Sequence, residues 1–168
     1  MNAAHLHLLI NHLPIIGSFI GFLLIFYSAI IIKNRSNLKA GLVILSLSCI
    51  SILPVYFSGE SAEDIVEHLN VVKHDTIEEH EEIAELGLYV SLFVCLLSSA
   101  TFFAINRNNK QANNLTYITL FMAVLLTVLF VLIGHTGGEI RHTEIEQNTD
   151  SSIEKTRIRL NIQDTDGD

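Results

Sequence analysis

The chain has 168 residues, 49% of them hydrophobic, and a positive mean hydropathy, which fits one domain and is already high for a soluble protein. Its 18 acids outnumber 10 Lys and Arg, the formal net charge is -8, and the bases form no stripe able to neutralise phosphates, which excludes nucleic acid as a partner. Cys49 and Cys95 lie inside apolar stretches and in no CxxC or CxxCH pattern, so they support neither a zinc knuckle nor covalently attached haem and read as buried small apolar residues.

A bilayer core of about 30 Å takes roughly 20 apolar residues of helix. Four stretches meet that length without a charged residue, at about 6–32, 40–57, 86–105 and 115–134. The first has no positive segment before it, is too long for the apolar region of a signal peptide and is followed by Lys33 and Arg35, so it reads as a retained span. Within it, Asn11 and His12 precede Pro14, whose ring and missing N–H leave the carbonyl of Ile10 without its helical partner. A polar notch is therefore expected there, with His12 facing the bundle interior and His5 on the same face two turns earlier. Gly17 and Gly21 are spaced to let a neighbouring helix approach closely, either within the bundle or between two chains of a homo-oligomer. Ser46, Ser48, Ser98 and Ser99 are available for hydrogen bonds between spans.

The connection after the first span carries Lys33, Arg35 and Lys39, the one after the third carries Arg107 and Lys110, and neither holds an acid. The preference of basic loops for the cytoplasm predicts that both lie inside and both termini outside, on the periplasmic face of a bacterial inner membrane. Tyr56 and Tyr89 then fall near the outer interface, and Tyr27 and Tyr117 near the inner one.

The outer segment, 59–85, carries Glu60, Glu63, Asp64, Glu67, Asp75, Glu78, Glu79, Glu81, Glu82 and Glu85 against Lys73. Ser61 with Asp64, and Asp75 with Glu78, resemble capping boxes and predict two helical pieces, the second running into the third span. Ile77, His80, Ala84 and Leu88 recur at helical spacing, which turns His80 to an apolar seam while most of the acids point elsewhere. His7, His68 and His74 read as solvated. The fourth span closes at His135, before Gly137 and Gly138, which are expected to end the helix, and Glu139 with His142 follows in an ExxH spacing. The polar tail, 143–168, is expected to be disordered, although Ile158, Leu160 and Ile162 alternate like a short strand.

The expected fold is thus all-α: an integral membrane four-helix bundle over 1–142, with an acidic outer helical cap and a polar C-terminal tail. His12, His80 and His135 come to one level, with His5, His142, Glu60, Glu81 and Glu139 around them. Neutral imidazoles are common ligands of haem, zinc, copper and iron, and adjacent carboxylates orient them. The competing reading is that these histidines only hydrogen-bond headgroups, carbonyls or carboxylates at the membrane interface.

NHLP at Asn11–Pro14, GESAEDIVEH at Gly59–His68, HEE at His80–Glu82 and GHTGGEIRH at Gly134–His142 resemble the bacterial domain-of-unknown-function family 2231, from the start of the chain to about His142. The resemblance implies four spans with histidines near one face, and it carries His12, His80, His135 and His142 as candidates with Glu60 and Glu81 as polar neighbours. Some members are joined to, or encoded beside, electron-transfer domains, which favours redox work.

Two functions are expected from different classes. One is a redox protein holding b-type haem or a transition metal, exchanging electrons with a membrane or periplasmic redox protein. The other is a non-catalytic membrane subunit or scaffold that binds a partner through its acidic cap. A transporter is disfavoured, because the four spans lack Asp, Glu, Lys and Arg through the membrane centre. No Ser-His-Asp or Cys-His grouping points to hydrolysis, and no catalytic residue is assigned.

Overall fold

The computed structural model describes residues 3–59 and 74–165. The described residues are helical throughout apart from short turns, with no strand among them. In chain order they form α1 (Ala3–Ile10), α2 (His12–Phe26), a π-helical turn (Tyr27–Ile31), α3 (Arg35–Ile50), α4 (52–59), α5 (His74–Asn106) and α6 (Ala112–Thr165). Four stretches are long and apolar enough to cross a membrane, namely His5–Ile31, Arg35–Gly59, Thr76–Asn106 and Ala112–Ile140, the pattern of a multi-pass membrane protein.

Hydroxyl-bearing side chains share the interior with apolar ones, while many large apolar side chains face outward. Ser18, Ser91, Ser98, Thr101 and Thr119 are fully buried, whereas Leu9, Leu47, Phe57 and Leu96 are more than 60% exposed. In lipid, large apolar side chains gain nothing by turning inward, so small and hydroxyl-bearing residues line the helix contacts. Each span carries its buried residues mainly at three- and four-residue steps, the spacing that keeps one seam facing a neighbouring helix. In the first span the seam is Pro14, Ser18, Gly21, Ile25 and Ser28, and in the second Leu38, Leu42, Leu45, Cys49, Ile52 and Val55. In the third it includes Ile77, Gly87, Ser91, Val94, Ser98, Thr101 and Ile105, and in the fourth Ala112, Thr116, Thr119, Ala123, Leu126 and Phe130.

The spans pack in order around a square, each against the next, with the fourth closing on the first. The first and third spans therefore stand diagonally across the bundle. Gly17 and Gly21 serve this packing within one chain: a Cβ on Gly17 would collide with the Ser48 hydroxyl, and one on Gly21 would lie 2.9 Å from the backbone nitrogen of Leu45. Gly41 returns the fit, with Ile25 N at 2.9 Å from its Cβ position. Two hydroxyl pairs join spans farther along: Ser46 Oγ with Ser98 Oγ at 2.6 Å and Thr101 Oγ1 with Thr119 Oγ1 at 2.8 Å.

The two short basic connections meet at one end of the bundle. The Arg35 guanidinium donates to Asn108 Oδ1 at 3.0 Å, and Lys33 and Asn108 take the left-handed conformation that reverses the chain. Asn34 Oδ1 accepts from the amides of Ser36 and Asn37 and so starts α3.

Three expectations about the other end need revision or fall outside the described residues. The acidic segment from 60 to 73 lies outside them; from His74 the helix does run unbroken into the third span as α5. Gly137 and Gly138 do not end the fourth helix. Neither has a positive φ, so a residue that permits the left-handed cap does not impose it, and α6 continues to Thr165. The described backbone is thus helical where a disordered or strand-like tail was expected from residue 143.

Candidate functional site

The seam of the first span, read back towards the N-terminus, passes from Pro14 through Asn11 to His7 at the same alternating steps. Leu9, His12, Ile16, Phe19 and Leu23 occupy a different stripe of that helix, and all are exposed. His12 therefore does not face the bundle interior, and His5 is exposed with it. The break before Pro14 is real, since α1 ends at Ile10 and α2 begins at His12. It is Pro14 itself that packs inward, carrying the seam past His12. The inward imidazole is that of His7, which was expected to be solvated.

His7 Nδ1 lies 3.1 Å from the carbonyl oxygen of Val55 and 3.1 Å from Ser58 Oγ, both on the second span. A carbonyl oxygen only accepts, so the Nδ1 position carries the proton. Ser58 donates its own hydroxyl proton to the same Val55 carbonyl at 2.8 Å, which leaves its oxygen free to accept from His7. In the neutral ring the lone pair is then on Nε2. The ring also lies against Gly59, where a Cβ would come within 3.3 Å of His7 Cε1.

His80 is held in the same way from the opposite side. It sits on the seam of α5 between buried Ile77 and Gly87, half-buried as the helical spacing implies. Its Nδ1 is 2.8 Å from Thr136 Oγ1 on the fourth span. Thr136 Oγ1 also stands 3.1 Å from the carbonyl oxygen of Ile133; with its proton given to that carbonyl, His80 Nδ1–H donates and Nε2 keeps the lone pair. Gly137 makes room for this ring, since a Cβ there would stand 3.1 Å from His80 Cε1. His7 and His80 stand at the same end of the bundle, near the starts of the first and third spans. Among the described residues neither Nε2 has a hydrogen-bond partner. On the His7 seam, the buried Asn11 Oδ1 is likewise without a partner there.

The remaining candidates do not join this pair. The His135 side chain is 71% exposed and pairs along its own helix with Glu139 at 3.6 Å. It ends the apolar run but lies off the seam through Phe130, Thr136 and Gly137. Glu81 and His142 are exposed, and Glu60 lies outside the described residues. Accordingly, no group of three or more His, Cys, Asp or Glu able to hold a metal ion occurs among the described residues. The arrangement offers two oriented imidazoles at one end of the bundle. Those are groups that bind a metal centre or accept a hydrogen bond. No known protein family, curated protein or solved structure matches the chain.

Proposed function

We propose that the protein is a membrane redox protein that holds a b-type haem or another transition-metal centre through Nε2 of His7 and His80. The observation that carries this reading is that each ring is held through Nδ1 by a neighbouring helix, His7 by Val55 O and Ser58 Oγ and His80 by Thr136 Oγ1. A backbone or side-chain acceptor on one ring nitrogen is the usual device for fixing the tautomer and aim of a ligating histidine. The shape of the spans supports an interfacial position. At 1.5 Å per residue, the 31 residues of Thr76–Asn106 make a helix of about 46 Å, against an apolar core of about 30 Å. His7 and His80 stand close to the starts of their spans, in the excess length.

The basic connections Lys33–Lys39 and Arg107–Lys110 support a cytoplasmic position for the opposite end. The histidine pair then belongs to the outer leaflet of a bacterial inner membrane, within reach of a membrane or periplasmic redox partner.

The test is haem absorption with iron, copper and zinc content for the parent, His7→Ala, His80→Ala, His12→Ala and His135→Ala in one detergent. Occupancy should fall in the first two variants and persist in the last two. If the parent binds nothing after haem and metal reconstitution, or all four variants keep parental occupancy, the acidic-cap scaffold becomes the better account.

A further inference from the structure

The two imidazoles are held by matching parts. On the second span, Ser58 donates to the carbonyl three residues back, accepts from His7 Nδ1, and is followed by Gly59, which faces the ring. On the fourth span, Thr136 Oγ1 stands 3.1 Å from the carbonyl oxygen three residues back and 2.8 Å from His80 Nδ1, and is followed by Gly137, which faces the ring. Below these points the buried positions keep register: Leu38, Leu45 and Ile52 correspond to Thr116, Ala123 and Phe130. On the histidine-bearing spans, Ser18 stands as far below His7 as Ser91 does below His80, and both serines are fully buried and bonded to a carbonyl of their own helix. The first and third spans lie on one diagonal of the square, and the second and fourth on the other.

We infer that the chain is two equivalent helical hairpins related by an approximate two-fold axis along the bundle, and that the occupant of the histidine site is a single haem lying on that axis with His7 and His80 as its two axial ligands. This rests on the redox-centre reading above and selects among its ligands. A porphyrin brings its own four equatorial nitrogens and needs only axial ligands. Two equal donors across an axis are what such a ligand requires. Ser58 and Thr136 are then equivalent positioning residues, acting through His7 and His80.

The experiment is a titration of the purified full-length chain in detergent with haem, and separately with Zn²⁺ and Cu²⁺. Absorption and electron paramagnetic resonance are recorded for the parent, His7→Gly, His80→Gly, Ser58→Ala and Thr136→Val. A single haem per chain with a low-spin bis-imidazole signature is expected. Each His→Gly variant should become high-spin, and free imidazole should restore the low-spin form, which separates lost ligation from lost folding. Ser58→Ala and Thr136→Val should each weaken haem binding by roughly 10-fold or more without changing the stoichiometry. Persistence of the low-spin signature in either His→Gly variant would overturn the two-fold assignment. Zn²⁺ or Cu²⁺ binding that depends on both histidines, with no haem uptake, removes the porphyrin but leaves an imidazole-ligated centre. Uptake of neither removes both.

Discussion

Substituting Gly21 by alanine drives a methyl group between the first and second spans. Its Cβ would stand 2.9 Å from Leu45 N, 2.9 Å from Leu45 Cβ and 3.0 Å from Leu45 Cα, where ordinary carbon contacts run about 3.5–4.0 Å. None of these atoms is the free end of a side chain, so the strain is relieved only if the helices separate by roughly 0.5–1 Å. That separation also loosens the Gly41 contact with Ile25 on the same interface. Overpacking of this kind costs about 1–3 kcal/mol, and replacing a helical glycine by alanine returns up to about 1 kcal/mol. A net loss of about 1–2 kcal/mol is expected, or a fall in Tm of roughly 2–8 °C for a chain of this size. Gly138→Ala is the control, because a Cβ there meets nothing within 4 Å and only the propensity gain remains. Thermal unfolding of both variants in one detergent checks the sign. A Gly21→Ala protein as stable as Gly138→Ala would refute the close approach of the two spans.

Ile77 is 5% exposed at the start of the third-span seam while Glu79 is exposed. Ile77→Asp should therefore lower the detergent Tm clearly, with Glu79→Ala close to the parent. Thr101→Val removes the 2.8 Å bond to Thr119 and should cost about 0.6 kcal/mol, at most about 1.7, measured as the difference in unfolding free energy. Cysteines introduced at Asn37 and Asn109 should resist an impermeant thiol reagent in intact cells while one at Asn148 reacts. The opposite pattern would move the histidine end to the cytoplasm.

The spans were legible because length and absence of charge are what a bilayer demands of a helix, and both are written in the residue string. Which face turns inward was harder to read. The rule that polar groups seek the bundle interior singled out His12 beside Pro14, yet the seam is a spacing property of the whole span. Taken together, His7, Asn11, Pro14, Ser18 and Gly21 are all small or polar, whereas Leu9, Ile16, Phe19 and Leu23 on another stripe are large and apolar. That contrast, applied with the inverted preference of a lipid-facing helix, selects His7 and rejects His12. His80 was readable because Ile77 and Ala84 already marked its seam through the acids. Its partner Thr136 was not, since a hydroxyl at the end of an apolar run carries no signal until the opposing helix is known. Gly137 and Gly138 misled for a related reason: a glycine can end a helix or admit a neighbour, and Gly137 admits the ring of His80.

The position of the imidazole pair limits what a centre there can do. All eight histidines of the chain fall at or before residue 12, from 68 to 80, or from 135 to 142, so the end formed by Tyr27, Arg35 and Asn108 has none. Several hydroxyls between the two ends are engaged: Thr101 and Thr119 bond both a carbonyl of their own helix and each other, and Ser46 bonds Leu42 O and Ser98. They tie spans together. A relay across the membrane through stacked centres would need ligands at both levels. On the proposed reading, a centre on His7 and His80 would exchange electrons at the face where the histidines lie. The spans then act as a frame whose value to the chemistry is that each ring is aimed by a different helix from the one that carries it.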